Sequence, residues 1–210
     1  MDSYFSDNYA EAREKFLTAA EKAGASLWQF AHPLKGPSGG DLGIDIVVLG
    51  SQYARNIVVA GSATHGIEGF CGSGCQIGFL RENWRARLNS DTALVLVHAN
   101  NPYGFAHLRR VNEDNIDLNR NFINFEDGLP KRLGYAKLHA SLVPDTWNGP
   151  AREDADRVIE AFKQREGLKI FQQITSTGQY TYPDGLFYGG CGPSWSRRTI
   201  EGFARKCLSG

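Results

Sequence analysis

The sequence has no excess of charge of one sign. Lys plus Arg and Asp plus Glu both number 23, so the formal net charge is zero. Bulk electrostatics therefore favour neither nucleic acid nor an anionic membrane as a partner. No apolar run reaches the roughly 18–20 residues that span a bilayer. The N-terminus, Met1-Asp2-Ser3-Tyr4-Phe5, lacks the basic start and apolar core of a secretory signal, which makes a cytoplasmic chain the default expectation. Cysteines are few and scattered: Cys71, Cys75, Cys191 and Cys207 do not amount to a disulfide scaffold. Cys71 and Cys75 stand four apart, outside the CxxC spacing of metal and redox sites, and read as small buried residues on one helix face. Low-complexity tracts are missing too, and the composition, 41% hydrophobic and 22% charged over 210 residues, suits one well-cored domain covering 1–210.

Periodicity then supplies the elements. Ala12, Phe16, Leu17, Ala20 and Ala23 form an apolar stripe among charged residues, which predicts a helix over 7–23 ended by Gly24. Ala25 to Pro33 reads as a connector and Gly36-Pro37-Ser38-Gly39-Gly40 as a loop. A strand is expected over 42–49, then a hairpin-like turn and a second strand over 56–61. That second run is nearly all apolar, as in a central strand covered on both faces. A helix from about Gly72 to Ala86, a buried strand over 93–98 and a helix over 151–165 follow. Alternating strands and helices predict an α/β domain with a mixed or parallel sheet, in which functional residues gather at strand ends. His65 and Asn100 fall there.

His65 and Glu68 make an H-x-x-E pair directly after a strand. Imidazole nitrogen and carboxylate oxygen are both zinc donors, and Gly61, Gly66 and Gly69 allow the backbone to bend so that the two converge. The bland alternative makes His65 a helix cap and Glu68 a first-turn carboxylate. Further on, Asp117-Leu118-Asn119-Arg120-Asn121-Phe122 sets a guanidinium between two amides. An Arg fork matches a carboxylate or an oxyanion with two parallel hydrogen bonds; the alternative is a turn with an Asx cap. Tyr180, Tyr182 and Tyr188 sit in a glycine-rich stretch, where they either line a pocket or pack the loop.

His65-x-x-Glu68, Asn101-Pro102-Tyr103-Gly104 and Asp117-Leu118-Asn119-Arg120-Asn121-Phe122, in that order, resemble the zinc carboxypeptidase family. Thr64-His65-Gly66-Ile67-Glu68-Gly69-Phe70-Cys71-Gly72-Ser73-Gly74 and Pro183-Asp184-Gly185-Leu186-Phe187-Tyr188-Gly189-Gly190 are similar to a carboxypeptidase-like branch of unknown function within it. The resemblance implies a three-layer α/β/α sandwich around a mixed, largely eight-stranded sheet. It implies His65 and Glu68 as two of three ligands of a zinc ion, Asn119 and Arg120 as the grip on a substrate carboxylate, and Arg110, or its neighbour Arg109, as the group that polarises the scissile carbonyl. The implied substrate is a peptide or an acylated amino acid; the alternatives are an N-acyl amino acid deacylase and a non-catalytic binding module with a degenerate site.

The family's third ligand is a later His, and its general base a later Glu. Here no histidine follows His139, which points to a C-terminally shortened chain. His98, His107 and His139 are the internal substitutes, His98 being a strand-end residue with a core or hydrogen-bonded alternative, and the other two surface or helix positions. A sheet short of its last strands would carry an unpaired edge and favour a homo-oligomer.

Overall fold

The structure is a computed structural model and describes residues 3–51, 53–132 and 134–207. Its elements in chain order are α1 (Tyr9–Lys22), β1 (Ser26–Lys35), β2 (Asp41–Leu49), β3 (Asn56–Gly61), α2 (Gly69–Arg81), β4 (Thr92–His98), α3 (Pro102–Ala106), α4 (Leu118–Asn121), α5 (His139–Leu142), α6 (Pro150–Glu166), α7 (Leu168–Ser176) and α8 (Trp195–Cys207). Two compact units result, one of residues 1–113 with 195–210 and the other of 114–194. No described helix is long and apolar enough to cross a membrane.

The first unit is an α/β/α arrangement on a mixed four-stranded sheet of order β1-β2-β4-β3. Its layers follow from strand alternation, which sends successive side chains to opposite faces. Val47 and Leu49 of β2 and Leu94 and Leu96 of β4 face Phe16, Ala19 and Ala20 of α1 and Ile77 and Leu80 of α2. Ile44, Ile46, Val95 and Val97 face the other way and meet Phe203 of α8, with Trp28 and Phe30 of β1 beside it. Phe16 is fully buried; burying a side chain of that size stabilises by about 2–3 kcal/mol.

Polar locks fix α1 on β2. The Tyr9 hydroxyl donates to the Gly43 carbonyl at 3.0 Å and accepts from the Gly43 N–H at 2.9 Å. Burial pushes that hydroxyl's pKa up to about 12, so it stays protonated as the donor requires. Below it Arg13 grips the buried Asp45 with Nε at 2.7 Å and Nη2 at 3.0 Å, and the Gln29 amide adds a third bond at 3.0 Å.

Four local expectations are corrected. Residues 26–35 form β1, in place of the connector expected from Ala25 to Pro33. Proline is tolerated on an edge strand or at a bulge, and β1 is both, with its register against β2 shifting between Ala31 and Lys35. β2 and β3 do not make a hairpin: β4 lies between them, antiparallel to β2 and parallel to β3. Gly50, at φ 109°, lets the chain leave β2 across the head of β4, where a Cβ would stand 2.6 Å from the Thr92 carbonyl. β3 is accordingly the last strand in the order and not a central one, and all its residues are exposed, Val58 at 52% and Val59 at 56%. Finally, Cys71 and Cys75 are exposed. The buried face of α2 carries Ser73, Gln76, Ile77 and Leu80 instead.

The second unit holds no strand among its described residues, only isolated bridges of Tyr188 with Ile116 and with Gln179. Side chains do the stapling. Gln179, 1% exposed, accepts through Oε1 from the Thr181 and Tyr182 N–H groups at 2.8 and 2.7 Å and donates to the Tyr182 carbonyl at 2.7 Å. Phe162 of α6 and Phe171 of α7 pack with ring centroids 6.4 Å apart.

Candidate functional site

His65 sits on the turn between the end of β3 and the start of α2, where the ladder hands the backbone over to neighbouring loops. The Ser62 N–H donates to the Val97 carbonyl at 2.9 Å, and the Asn100 and Asn101 N–H groups donate to the Ser62 and Ala63 carbonyls at 2.8 and 3.0 Å. Ala63 takes a left-handed conformation, φ 54°, in a buried position; non-glycine residues adopt it at a cost, and such strain collects at functional turns. The Asn100 amide donates to the Thr64 hydroxyl at 3.1 Å.

Gly66 carries the closest approach in the turn. Its N–H donates to the Arg109 carbonyl at 3.0 Å, and a Cβ there would collide with the carbonyls of both Gly104 and Arg109. Asn101-Pro102-Tyr103-Gly104 forms the other side of this contact. Asn101 caps α3 through Oδ1, which accepts from the Gly104 N–H at 2.8 Å, and its amide reaches the Arg110 carbonyl at 3.4 Å. The His65 turn and the Arg109–Arg110 turn are therefore held against each other by backbone groups, with both arginine side chains exposed.

On this frame the imidazole of His65, 7% exposed, places Nδ1 3.2 Å from Glu68 Oε2. Glu68 occupies the position before α2 without making a capping bond, and its side chain is 69% exposed. The two side chains thus meet on a glycine-bent turn at the N-terminal end of α2. As a metal site the two donors fit part of a zinc coordination sphere. A catalytic zinc takes three protein ligands and an open position, and among the described residues no group of three His, Cys, Asp or Glu side chains converges.

The other histidines have structural work. His98 is fully buried, with Nε2 2.8 Å from Ser73 Oγ and its ring stacked on Phe16 at 4.5 Å. His107 ends α3 and stacks on Tyr103 at 4.1 Å. His139 begins α5 and stacks on Tyr182 at 3.9 Å. His32, which the sequence does not single out, has Nε2 3.3 Å from Glu113 Oε2 and meets Trp195 edge-on. Burial raises the Glu113 pKa, but the bonds from His32 and the backbone, with the charges of His32 and Arg198, leave it below the ordinary value.

In the second unit, the Asp117–Phe122 stretch divides its labour. Asp117 caps α4, accepting from the Asn119 N–H at 3.0 Å, and Leu118 is buried. Asn121 is fully buried; its amide donates to the Gly189 and Gly192 carbonyls at 2.8 and 2.9 Å, and its oxygen accepts from the Ser194 N–H at 2.8 Å. Asn119 is exposed and Arg120 half-buried. Arg120 Nη2 donates to the Ser176 carbonyl at 2.9 Å while its Nε is buried without a hydrogen-bond partner. The Tyr180 hydroxyl, missed as a positioning group, donates to the Arg120 carbonyl at 2.7 Å. Of the three tyrosines, Tyr180 thus supports Arg120, Tyr182 stacks on His139, and Tyr188 bridges Ile116 and Gln179.

The sequence model of the family described as "Protein of unknown function (DUF2817)" matches residues 5–210. No curated protein matches. Among solved structures, a Macrostomum lignano glutaminyl cyclase is similar at 14% identity over 45% of this chain and 32% of its own, TM-score 0.33. Thrombin activatable fibrinolysis inhibitor is similar at 16% identity over 76% and 44%, TM-score 0.40. A Zn-dependent exopeptidase from Parabacteroides distasonis is similar at 9% identity over 69% and 51%, TM-score 0.36. The chain spans about a third to a half of the length of these three.

Proposed function

The chain belongs to the DUF2817 family, and on that premise we propose that it carries the ligand-bearing part of a zinc-dependent hydrolase site acting on an amide bond next to a carboxylate. The observation that carries the reading is the convergence of His65 Nδ1 and Glu68 Oε2, 3.2 Å apart, on a strained strand-end turn. Zinc bound there would polarise a carbonyl and lower the pKa of a water. Two donors are one short of a catalytic set of three. Arg110 is exposed on a turn where the Arg109 carbonyl accepts from the Gly66 N–H, and a guanidinium is the kind of group that would stabilise a developing oxyanion. In the second unit, Asn119 and Arg120 are the amide and guanidinium that would suit a carboxylate. Peptide C-termini and N-acylated amino acids share that carboxylate and are the substrate class.

A second reading, a binding module that keeps the carboxylate grip without turnover, draws its support from the absence of a three-donor cluster among the described residues. Zinc titration of the purified chain separates the two, with His65→Ala and Glu68→Gln as controls. The hydrolase reading expects about one zinc per chain with a Kd below about 1 μM, weakened at least about tenfold in both variants. Zinc retention no better than in His65→Ala would overturn it and leave the binding module.

A further inference from the structure

We propose that the second unit carries an anion subsite, built by Lys131 and Arg132 beside Arg120, that takes the carboxylate or phosphate of a small acidic ligand. A cavity of about 280 Å³ is lined by Lys131, Arg132, Gln173, Ile174, Thr177 and Gly178. Two of these six are cations and none is an acid. The contrast with the cations of α6 is direct. Arg152 pairs with Asp156 at 2.9 Å, Lys163 with Glu160 at 2.6 Å, Arg165 with Glu166 at 2.9 Å, and Arg157 with Asp154. Lys131 and Arg132 have no ion-pair partner among the described residues.

Arg120 adds a third positive charge at the wall of this cavity. A Cβ on Gly178 would stand 2.5 Å from Arg120 Cδ and 2.9 Å from its Nε, so the arginine lies directly on a lining residue. Gly178, at φ 96°, leaves the room. The fields of the arginines overlap: burial raises the Tyr180 pKa, and Arg132 and then Arg120 oppose that rise.

The C-terminal end of α7 borders the same cavity, and a helix C-terminus would by itself repel an anion. Three carbonyls of that end are already engaged by side chains, however. Gln172 accepts from Ser176 Oγ at 2.6 Å, Gln173 from the Thr177 hydroxyl and N–H, and Ser176 from Arg120 Nη2 at 2.9 Å. Positive charge is left in excess beside an apolar floor, Ile174, and a Gln173 amide able to donate. Charge-assisted hydrogen bonds from such a set suit a compact anion with several oxygens.

If the hydrolase reading holds, the substrate carries a second acidic group besides the carboxylate held by Asn119 and Arg120. That substrate assignment rests on the hydrolase reading, whereas anion binding does not. The test is calorimetric titration of the full chain, at low ionic strength, with acetate, glutarate and inorganic phosphate. The proposal expects glutarate or phosphate to bind and acetate to bind at least about tenfold more weakly. Lys131→Ala/Arg132→Ala should weaken the tight ligand at least about tenfold, while Lys137→Ala/Lys169→Ala, which removes equal charge from exposed positions outside the cavity, leaves it unchanged. Tighter glutarate assigns a dicarboxylate and tighter phosphate a phosphorylated ligand. No binding, or an equal loss in both double variants, overturns the subsite. Zinc titration of the same variants keeps the two readings apart: His65→Ala should lose zinc and keep the anion, and the Lys131/Arg132 double variant the reverse.

Discussion

Acidification from about pH 7 to about pH 5 takes the unfolded chain through the ordinary titration range of histidine, but His98 resists protonation in the fold. It is fully buried between Ser73 and Phe16, and burial pulls its pKa from 6.5 down to about 4. Asp45, across the β2–β4 pair, raises it, Arg13 lowers it, and the residue's own backbone raises it, but burial dominates. The unfolded state therefore binds the proton first. Stability is full above about 6.5, falls with pH through the interval, and the loss is complete below about 4. The difference of 6.5 − 4, or 2.5 units, amounts to about 3 kcal/mol in total, of which about 2 kcal/mol is lost between about pH 7 and pH 5. Urea unfolding across that range, on the native chain and on His98→Gln, isolates the contribution. The variant is less stable throughout, yet its stability should fall less steeply with acid by about 2 kcal/mol, since the other histidines are common to both. Parallel curves, agreeing in slope within about 0.5 kcal/mol, would sink the reasoning. So would a His98 imidazole resonance that titrates with a midpoint above about 6.

Arg13→Met leaves the Asp45 carboxylate, whose side chain is 0% exposed, with only Gln29 as partner, and should cost about 3 kcal/mol in urea unfolding; Arg13→Met/Asp45→Leu should recover most of it, and a single-variant cost under about 1 kcal/mol refutes the dependence. Gly66→Ala drives a methyl into the Gly104 and Arg109 carbonyls and should cost at least about 2 kcal/mol while weakening zinc retention; native-like zinc affinity in this variant would mean that the turn does not orient His65.

Much of the first unit was legible because its signals are local. The α1 stripe, the β2 and β4 runs and, in the second unit, the 150–166 helix are each set by spacing within a few residues, and each appears within a residue or two of the expected place. Pairing is a different matter. A six-residue link between β2 and β3 suggests a hairpin, and only the later arrival of β4 displaces it, with Arg55–Asp91 and the Asn56 N–H on the Asp91 carbonyl fixing β3 beside β4 instead. Pro33 hid β1 because an edge position, which makes the proline harmless, is a property of the finished sheet. The same holds for Lys131 and Arg132: their significance comes from α7, distant in sequence, and from the absence of acids around a cavity that no window of residues reveals.

Within the candidate site, residue type alone misleads. Asn119 and Asn121 flank Arg120 and look equivalent as ligands, but burial separates them. Asn121 spends both amide hydrogens on the Gly189 and Gly192 carbonyls and its oxygen on the Ser194 N–H. Removing it would leave those buried groups unsatisfied, at about 1–3 kcal/mol each. It has nothing left to offer a substrate. Asn119 gives its backbone N–H to Asp117, and the residue is exposed. The same logic sorts the histidines: His98 ends a strand, as a ligand might, but its ring lies in the α1–α2 core, while His65 is held by a turn whose glycines bring Glu68 to it. A strand-end motif therefore names a chemistry only after each polar atom has been checked for prior engagement, and that check removes Asn121 and His98 from the candidate ligands.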